Sequence, residues 1–468
     1  MSTATNQAAA TAAEAHSSAR IASLTLLIAA VAALESIIVP ALPLVQREFG
    51  VDADVGALAS VALTLSTVLI TPIAGRIADI YGARPTLIWL TVVVVFGGSL
   101  SALANVFPLF VAGQFLQGFG LGLLPVSFVV LRTTLTPDRV KTATGFLGAV
   151  VVGGGALGVV LAGPMADKLS RSAMYAVPTG LVLLGTLAFS VVTPKSVTQA
   201  AGGRVDWLGA LGLAAGLLTM TAWLSSASSK GWMAPPALAL ALITLAVLML
   251  WARYQRRTTD PMVDLSMMTL RPMWTAVAVG VVFGFTYGAV VYLIPQQLAA
   301  PAESGFGLGA STTTIGLLLC VGYGAAIAAS VISGILTKSR GTTPVAAVGV
   351  GMLGASAALG AVSTQLWQIV LALILAGVGI AAASTAVFVV AANSAAEERV
   401  GVTTAIATIA RSLGAAVGTQ IAAGILAGTE QIQGYPEHAA FSYAFAIAAA
   451  VAVVGLVVTA LMPRGESH

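Results

Sequence analysis

Charged residues are scarce in this sequence. They make up 8% of the 468 residues, whereas an average soluble domain contains about 25%. The 21 basic and 17 acidic residues leave a formal net charge of +4, which is too small and too scattered for a nucleic-acid-binding face. The composition therefore excludes an ordinary water-soluble domain, and it excludes nucleic acid as a primary partner.

Cysteine and histidine are equally rare. The single cysteine, Cys320, excludes an internal disulfide and a Cys-rich metal site, and the three histidines are far apart in the sequence. No nucleophile, base and orienting group occur at a usable spacing. The sequence therefore predicts no metal site, no cofactor and no enzyme active site.

Long apolar runs are what the sequence has in abundance, since 58% of its residues are hydrophobic. A membrane-spanning helix needs about 20 such residues. The runs that qualify lie near residues 21–45, 55–75, 86–104, 109–131, 143–165, 174–193, 207–225, 235–253, 274–299, 311–336, 344–363, 366–392, 402–427 and 440–462. They predict an all-α integral membrane protein with 14 transmembrane helices.

The distribution of Lys and Arg indicates how the spans are oriented, because cytoplasmic loops retain positive charge. With the amino terminus inside, 16 of the 21 basic residues fall on the cytoplasmic side and four outside, which are Arg47, Lys168, Arg171 and Lys230. We therefore expect a multi-pass protein of the plasma or inner membrane with both termini in the cytoplasm. Residues 1–19, rich in Ala, Ser and Thr, are predicted to be a disordered cytoplasmic tail.

An internal repeat relates the two ends of the chain. Residues 75–85 and 334–344, which are 259 positions apart, have the same glycine and proline spacing. After a slip of one residue, Gly154 matches Gly414 and Gly158 matches Gly418. The alternative is chance similarity in a chain with 50 glycines.

The repeat divides the spans into three groups. Residues 20–195 form one six-helix half, residues 272–468 form the second half with a short tail, and residues 196–271 hold a two-helix insert and its cytoplasmic connections. Two related halves around a site in mid-membrane are typical of transport by alternating access.

Glu35 is the only acidic side chain that we place inside a span. An ionised carboxylate there costs about 2.5–3.5 kcal/mol, so it should face the interior of the bundle. Burial disfavours the charged form, which lets the group exchange a proton against a cation. We therefore predict that Glu35 is the proton-coupling residue; the alternative is a hydrated carboxylate near the outer mouth.

Arg411 is the only basic residue that we place inside a span. It is the default counter-charge for proton coupling. Alternatively, its side chain extends from the cytoplasmic half of the span towards the interface, with the guanidinium group in water.

Residues 75–85 form a tight cytoplasmic connection. Gly75 allows close helix approach, Gly82 permits a positive φ, and Asp79 can accept hydrogen bonds from free amides at a helix start, with Arg84 nearby. We interpret these four residues as a conformational latch. A plain charged turn is the alternative.

Other polar and small residues lie within the spans. Gln114, Gln117, Tyr287 and Tyr323 need a partner or a water-filled cavity in hydrocarbon, and we predict that they line the substrate cavity. Hydrogen bonding between helices is the alternative for each of them. Gly154, Gly158 and Gly163 lie inside a span, so we interpret them as helix-packing or hinge positions. Gly153, Gly155 and Gly158 spell GxGxxG, but they also lie inside a span, so we do not interpret them as a dinucleotide-binding loop.

These residues together resemble the major facilitator superfamily, and within it the fourteen-span drug/proton antiporter family. Residues 75–85 resemble motif A, GxLxDRxGRR, with Asp79 and Arg84 matching. Residues 34–43 resemble the first-helix signature LDxTIVNVALP, with Glu35 at the acidic position that the family uses for coupling. Residues 206–265 resemble the flanks of the extra helix pair.

The sequence departs from the family pattern in two motifs. Motif B, RxxQG, has Gln114 in place of its arginine. Motif C, GxxxGPxxGG, begins at Gly154 but has Val159 in place of its proline and Ala162 in place of a glycine. Arg411 is the candidate to supply the missing positive charge from the other half.

The resemblance implies a secondary active transporter that exports small amphipathic compounds of the drug or antibiotic type by alternating access. Its expected partners are a small-molecule substrate, protons and the lipid bilayer, with the proton gradient in place of a cofactor and no requirement for an oligomer. The departures at Gln114 and Val159 leave an alternative, a uniporter or metabolite importer of the same fold.

Overall fold

The computed structural model describes residues 2–134, 137–193, 205–259, 261, 263, 265–304, 306–394, 400–429, 431–432 and 435–462. Some residues within helices, including residues 2–18 and Asp79, are described by their backbone alone.

The described residues are almost entirely α-helical, which confirms the all-α prediction. The helices are α1 (Ser2–Ser36), α2 (Ile38–Phe49), α3 (Ala53–Tyr81), α4 (Ala83–Leu103), α5 (Phe107–Gln117), α6 (Leu123–Thr134), α7 (Pro137–Lys168), α8 (Arg171–Val192), α9 (Trp207–Lys230), α10 (Pro235–Gln255), α11 (Arg271–Ala299), α12 (Thr312–Arg340), α13 (Thr342–Val362), α14 (Leu366–Asn393), α15 (Val400–Ala427) and α16 (His438–Thr459). The shorter 3₁₀ helices are Gly118–Gly122, Leu265–Thr269 and Ala302–Ser304.

Two short antiparallel strands, β1 (Gln431–Ile432) and β2 (Tyr435–Pro436), form a small hairpin between α15 and α16. The segment predicted to be a disordered tail overlaps α1, which begins at Ser2.

Thirteen helical stretches of the described residues are long and apolar enough to cross a membrane. The fifth predicted span falls in α7, where the described apolar stretch, Gly153–Ala166, is shorter than a span. The membrane-protein fold is therefore confirmed, and the number of fourteen spans stays a prediction.

Two predicted spans are interrupted helices. The first span is divided at Ile37, between α1 and α2, because Pro40 has no N–H to bond to the Ser36 carbonyl and its ring crowds that carbonyl. The fourth span changes from α5 to the 3₁₀ helix Gly118–Gly122 and then to α6. Three glycines in five residues disfavour continuous α-helix at this point.

The predicted repeat has a counterpart in the helix bounds. Both ends of α12 and both ends of α13 lie 259 residues after the corresponding ends of α3 and α4. Each pair is joined by one glycine with positive φ, Gly82 (φ 96°) and Gly341 (φ 85°). A residue with a Cβ atom rarely adopts this conformation, which explains the glycine at both connections.

The chain divides into two compact units. The first unit comprises residues 1–37, 70–158 and 170–205. Within it α1 packs against α8, and α4 packs against α5 and α8. Its core contains fully buried large side chains such as Phe110, Tyr175 and Phe189.

The second unit comprises residues 38–69, 159–169 and 206–468. It therefore contains parts of the predicted first half together with the whole predicted second half. Within it α11 packs against α15 and α16, α14 packs against α12 and α13, and α9 packs against α10 and α15.

Candidate functional site

Glu35 is the second-last residue of α1 and is only 9% exposed. It lines a cavity of about 10 Å³, which is the space of roughly one water molecule. The other lining residues come from α1, the 3₁₀ helix, α6 and α7, and all of them are apolar. This cavity has room for a proton-carrying water but not for a drug-sized molecule.

The 3₁₀ helix brings backbone close to the Glu35 carboxyl group. The Leu121 N–H is its hydrogen-bond partner. A Cβ atom on Gly120 would collide with Glu35 Oε1 and with Val31 Cγ1, so a larger residue at this position would displace these side chains.

The carboxyl group is otherwise poorly satisfied. Among the described residues, Glu35 Oε1 has no hydrogen-bond partner and the group makes no ion pair. A buried carboxylate without a counter-charge is costly, whereas a protonated carboxyl group is neutral and can donate a hydrogen bond. The arrangement suits a group that gains and loses a proton.

Arg411 lies on α15 in the second unit. Its backbone is in close contact with Gly284 of α11, and its guanidinium group interacts electrostatically with Tyr287 of the same helix. Its Nε atom is buried and has no hydrogen-bond partner among the described residues. Glu35 belongs to the other unit, so the predicted pairing of the two groups stays a prediction.

Gln114 and Gln117 are fully buried between α5 and α4. Their Nε2 atoms donate to Ser101 Oγ at 3.1 and 2.7 Å, respectively. These bonds match the helix-to-helix alternative, and the predicted role of both residues in a substrate cavity stays a prediction. Tyr323, the remaining predicted cavity residue, is partly exposed on α12.

Arg171 is a buried cation that sequence analysis assigned to an outer loop. It donates to the carbonyl oxygens of Ser101 and Ala104 at 2.8 and 2.6 Å, and its guanidinium group lies 5.8 Å from the centre of the Phe110 ring. It thus satisfies the last carbonyls of α4. No local signal in the sequence identifies these partners, which are about 70 residues away.

The structure places three of the four predicted latch residues. Gly82 has the positive φ that was expected. The close helix approach expected at Gly75 is not found among the described residues, because a Cβ atom there would meet open space. Arg84 donates to the carbonyl oxygens of Thr193 and Ser190 at 2.7 and 2.8 Å, which satisfies the end of α8. The Asp79 side chain lies outside the described part of the structure, so the latch stays a prediction.

The predicted packing glycines of α7 approach other backbones closely. A Cβ atom on Gly154 or Gly158 would meet the backbone of Ala29 or Ala33 in α1. In the second unit, a Cβ on Gly163 would meet the backbone of Thr313.

Their counterparts in the repeat do the same. A Cβ atom on Gly414 would meet the backbone of Val281 in α11, and one on Gly418 would meet Phe285. Paired glycines four residues apart thus make the same helix contact in α7 and in α15, as small residues do in membrane helix pairs.

Polar contacts in the second unit join α2 and α3 to α11 and α15. The Tyr292 hydroxyl donates to the Ala53 carbonyl at 3.0 Å, and Gln420 Nε2 donates to the Asp54 carbonyl at 3.3 Å. Gln296 Nε2 donates to Gln46 Oε1. These residues lie at the predicted outer ends of their spans, and sequence analysis did not predict that they meet.

The chain is similar in sequence to a known protein family and similar in fold to solved structures. The family model of the Major Facilitator Superfamily matches residues 24–300 and 278–468. The "Multidrug resistance protein B homolog" of Mycobacterium tuberculosis is 26% identical over 320 residues, covering 66% of this chain and 56% of that protein. The "Puromycin resistance protein pur8" of Streptomyces alboniger is 31% identical over 230 residues, covering 47% of this chain and 44% of that protein. The chain thus spans about half the length of the curated relatives that it matches.

A solved structure with the same fold is that of the nucleoside transporter NupG. It superposes with a TM-score of 0.66 over 95% of this chain and 99% of that chain. The sequence identity is 13%, so the likeness shows the fold alone.

Proposed function

The chain belongs to the Major Facilitator Superfamily, and we propose that it is a secondary active transporter that exports small amphipathic compounds in exchange for protons. It has the multi-pass helical architecture of that superfamily. The proposal places it in a plasma or inner membrane with both termini in the cytoplasm, and it requires no oligomer.

The position and surroundings of Glu35 are the main support for the proposal. It is an ionisable group inside a membrane-spanning segment, beside two helix interruptions, with one oxygen unpartnered among the described residues. Interrupted helices in membrane transporters commonly surround the sites of substrates and coupling ions. The cavity beside Glu35 matches one water molecule, which favours a proton over a bulky ligand as its cargo.

Alternating access is supported by the contacts among α2, α3, α11 and α15. The Tyr292 and Gln420 hydrogen bonds connect outer ends that belong to different predicted halves. In a rocking mechanism such contacts form in one state and break in the other. Their few, neutral hydrogen bonds suit a contact that must open in each cycle, because each contributes only about 1 kcal/mol.

Export of amphipathic compounds is supported by the relatives, two of which are named for multidrug and puromycin resistance. One proton moved across 100 mV supplies about 2.3 kcal/mol. That energy sustains a substrate concentration ratio of roughly 50-fold, which is a useful level of clearance.

A facilitator or importer of the same fold is the second candidate. It is favoured by Gln114, which occupies the place of the motif B arginine, carries no charge and donates a hydrogen bond to Ser101. The experiment below separates the two candidates.

Purified protein in proteoliposomes, with a pH-sensitive dye and an imposed proton gradient, tests both points. Cationic, neutral and anionic compounds are added to wild type, to Glu35→Gln and to Glu303→Gln, a control that removes an exposed carboxylate outside the spans. We expect substrate-triggered proton release in wild type and in Glu303→Gln, and none in Glu35→Gln. The Glu35→Gln variant should still bind substrate.

Two results would contradict the proposal. Substrate flux without proton movement in wild type would make the protein a facilitator. Normal proton release by Glu35→Gln would remove Glu35 from the mechanism, while leaving antiport itself in place.

A further inference from the structure

A half-open cavity lies at the carboxyl-terminal end of α10, in the insert between the two predicted halves. Its volume is about 380 Å³, and it is lined by Met249, Ala252, Arg253, Arg256 and Arg257. Cavities of about 300 Å³ and more are large enough for a small ligand. Three arginines and almost no other polar group indicate that the ligand is an anion.

The three arginines present their charges together. Arg253 precedes Arg256 and Arg257 by three and four residues, the spacing of neighbours on one helix face. All three are exposed. Within the described part of the chain, none of their guanidinium groups makes a hydrogen bond or an ion pair, so their donors remain available. Guanidinium groups match the geometry of phosphate oxygens and often bind them in a bidentate manner.

Helix α10 presents mostly exposed apolar side chains. Among its residues, all of which are described, only Ala237, Thr244 and Gln255 are buried. The apolar side chains of Leu242 and Leu250 are each 68% exposed. In a membrane these side chains face acyl chains, so the basic cavity lies where a hydrocarbon-facing helix reaches the headgroup layer.

The end of α10 is held in place by its neighbour α9. Trp251 Nε1 donates to the Gly209 carbonyl at 2.8 Å, and the Tyr254 hydroxyl donates to Asp206 Oδ1 at 3.0 Å. Asp206 Oδ1 also accepts from the Gly209 N–H at 2.7 Å at the start of α9. The nearby carboxylate is thus engaged with α9 and Tyr254, and the arginines are carried on a positioned helix end.

We propose that this cavity, formed by residues 249–257, binds the headgroup of an anionic phospholipid whose acyl chains lie along α10. Charge and position together identify the lipid: the phosphate contacts the three arginines, and the exposed apolar face of α10 takes the hydrocarbon. The distribution of Lys and Arg predicts that this end of α10 lies on the cytoplasmic side, where basic clusters beside a span attract anionic lipids. The site is independent of the transport mechanism proposed above.

The test compares lipid binding to two charge-matched variants. Purified protein is incubated with phosphatidylglycerol or phosphatidylcholine, and bound lipid is counted by native mass spectrometry. The variant Arg253→Gln/Arg256→Gln removes two charges from the cavity. The control Lys338→Gln/Arg340→Gln removes two exposed charges from the end of α12, on the same predicted side. All four residues are exposed, so both variants should fold, which a melting curve checks.

We expect phosphatidylglycerol to bind wild type and the control equally, and to bind the cavity variant about 30-fold more weakly. This ratio follows from roughly fivefold per arginine near an anionic lipid surface. Phosphatidylcholine should show no difference among the three proteins.

Several outcomes would overturn the proposal. Equal phosphatidylglycerol binding to all three proteins would show that the arginines only anchor the helix end. Equal loss in both variants would indicate a non-specific effect of surface charge. Displacement of the lipid by millimolar inorganic phosphate, with the same dependence on Arg253 and Arg256, would identify a free-phosphate site.

Discussion

The close contact between α7 and α1 predicts that alanine substitutions at neighbouring glycines of α7 have very different effects on stability. A Cβ atom on Gly158 would lie 2.6 Å from Ala33 Cα, and one on Gly154 would lie 2.9 Å from Ala29 Cα. A Cβ on Gly153 meets nothing within 4 Å. Alanine substitution at these three positions therefore makes the same chemical change in three different surroundings.

The magnitudes follow from two opposing effects. Alanine is favoured over glycine in a helix by up to about 1 kcal/mol, so Gly153→Ala should leave stability unchanged or raise it. At Gly158 the obstacle is backbone, which cannot rotate away, and overpacking of this kind costs about 1–3 kcal/mol. We therefore expect Gly158→Ala to be destabilising by about 2 kcal/mol relative to Gly153→Ala, with Gly154→Ala between them.

The assay is thermal unfolding of purified protein in one detergent, followed by intrinsic fluorescence. The second unit supplies an independent pair: Gly418→Ala would meet the Phe285 backbone, whereas Gly280→Ala would make only ordinary contacts, the nearest at 3.6 Å. The reasoning is refuted if Gly158→Ala and Gly153→Ala have equal melting temperatures, because the two helices would then not be in close contact.

Three further predictions concern single residues. Arg171→Gln should destabilise the protein by about 3 kcal/mol, because two carbonyls at the end of α4 lose charged donors, and Arg171→Lys should recover part of the loss in a melting curve. Gly82→Ala and Gly341→Ala should each cost about 1–3 kcal/mol in the same assay, because both glycines combine a positive φ with an extended ψ, whereas Gly75→Ala, which meets open space, should cost less than either. Tyr292→Phe removes the hydrogen bond to the Ala53 carbonyl at the start of α3. Hydrogen exchange of the amides in residues 50–56 should therefore quicken about fivefold, which corresponds to one lost hydrogen bond of about 1 kcal/mol. Unchanged exchange would mean that this bond does not hold the start of α3 against α11.

The helices were predictable because the bilayer imposes a strong constraint on sequence. A span needs about 20 apolar residues and tolerates few charges, so both the spans and the isolation of Glu35 are visible without a structure. The interruptions at Ile37 and at residues 118–122 were not predicted. Pro40 and three glycines mark these places, but proline and glycine are common in membrane helices, and neighbouring helices decide whether they break one.

The partners of polar side chains were less predictable. Gln114 and Gln117 were predicted to line a cavity or to hydrogen-bond between helices, and both bond to Ser101 of α4, a partner that the sequence did not indicate. Arg171 was counted as an outer charge, and it is buried against the end of α4. In each case the partner lies on another helix, so the contact depends on tertiary packing and leaves no periodic signal along the chain.

The contacts of the paired glycines also show how the positions of Glu35 and Arg411 correspond in the two repeats. Gly154 and Gly158 contact Ala29 and Ala33, and the equivalent contacts of α15 fall on Val281 and Phe285, each 252 residues later in the chain. With the same shift of 252 residues, Glu35 of α1 is equivalent to Tyr287 of α11.

Gly154 of α7 and Gly414 of α15 are 260 residues apart. With this shift, Val151 of α7 is equivalent to Arg411 of α15. In the first unit, Glu35 and Val151 line one cavity, and in the second unit Tyr287 and Arg411 interact. The equivalent helix contacts, α1 with α7 and α11 with α15, thus hold a carboxyl group in the first unit and a guanidinium group in the second, on helices that are not equivalent to each other. The 259-residue alignment of the sequence could not reveal this relation, because the chain from α11 to α12 is seven residues longer than the chain from α1 to α3. If the two groups act together in proton coupling, the carboxyl group and its counter-charge come from equivalent helix contacts of the two repeats, one group on each of the two helices that make that contact.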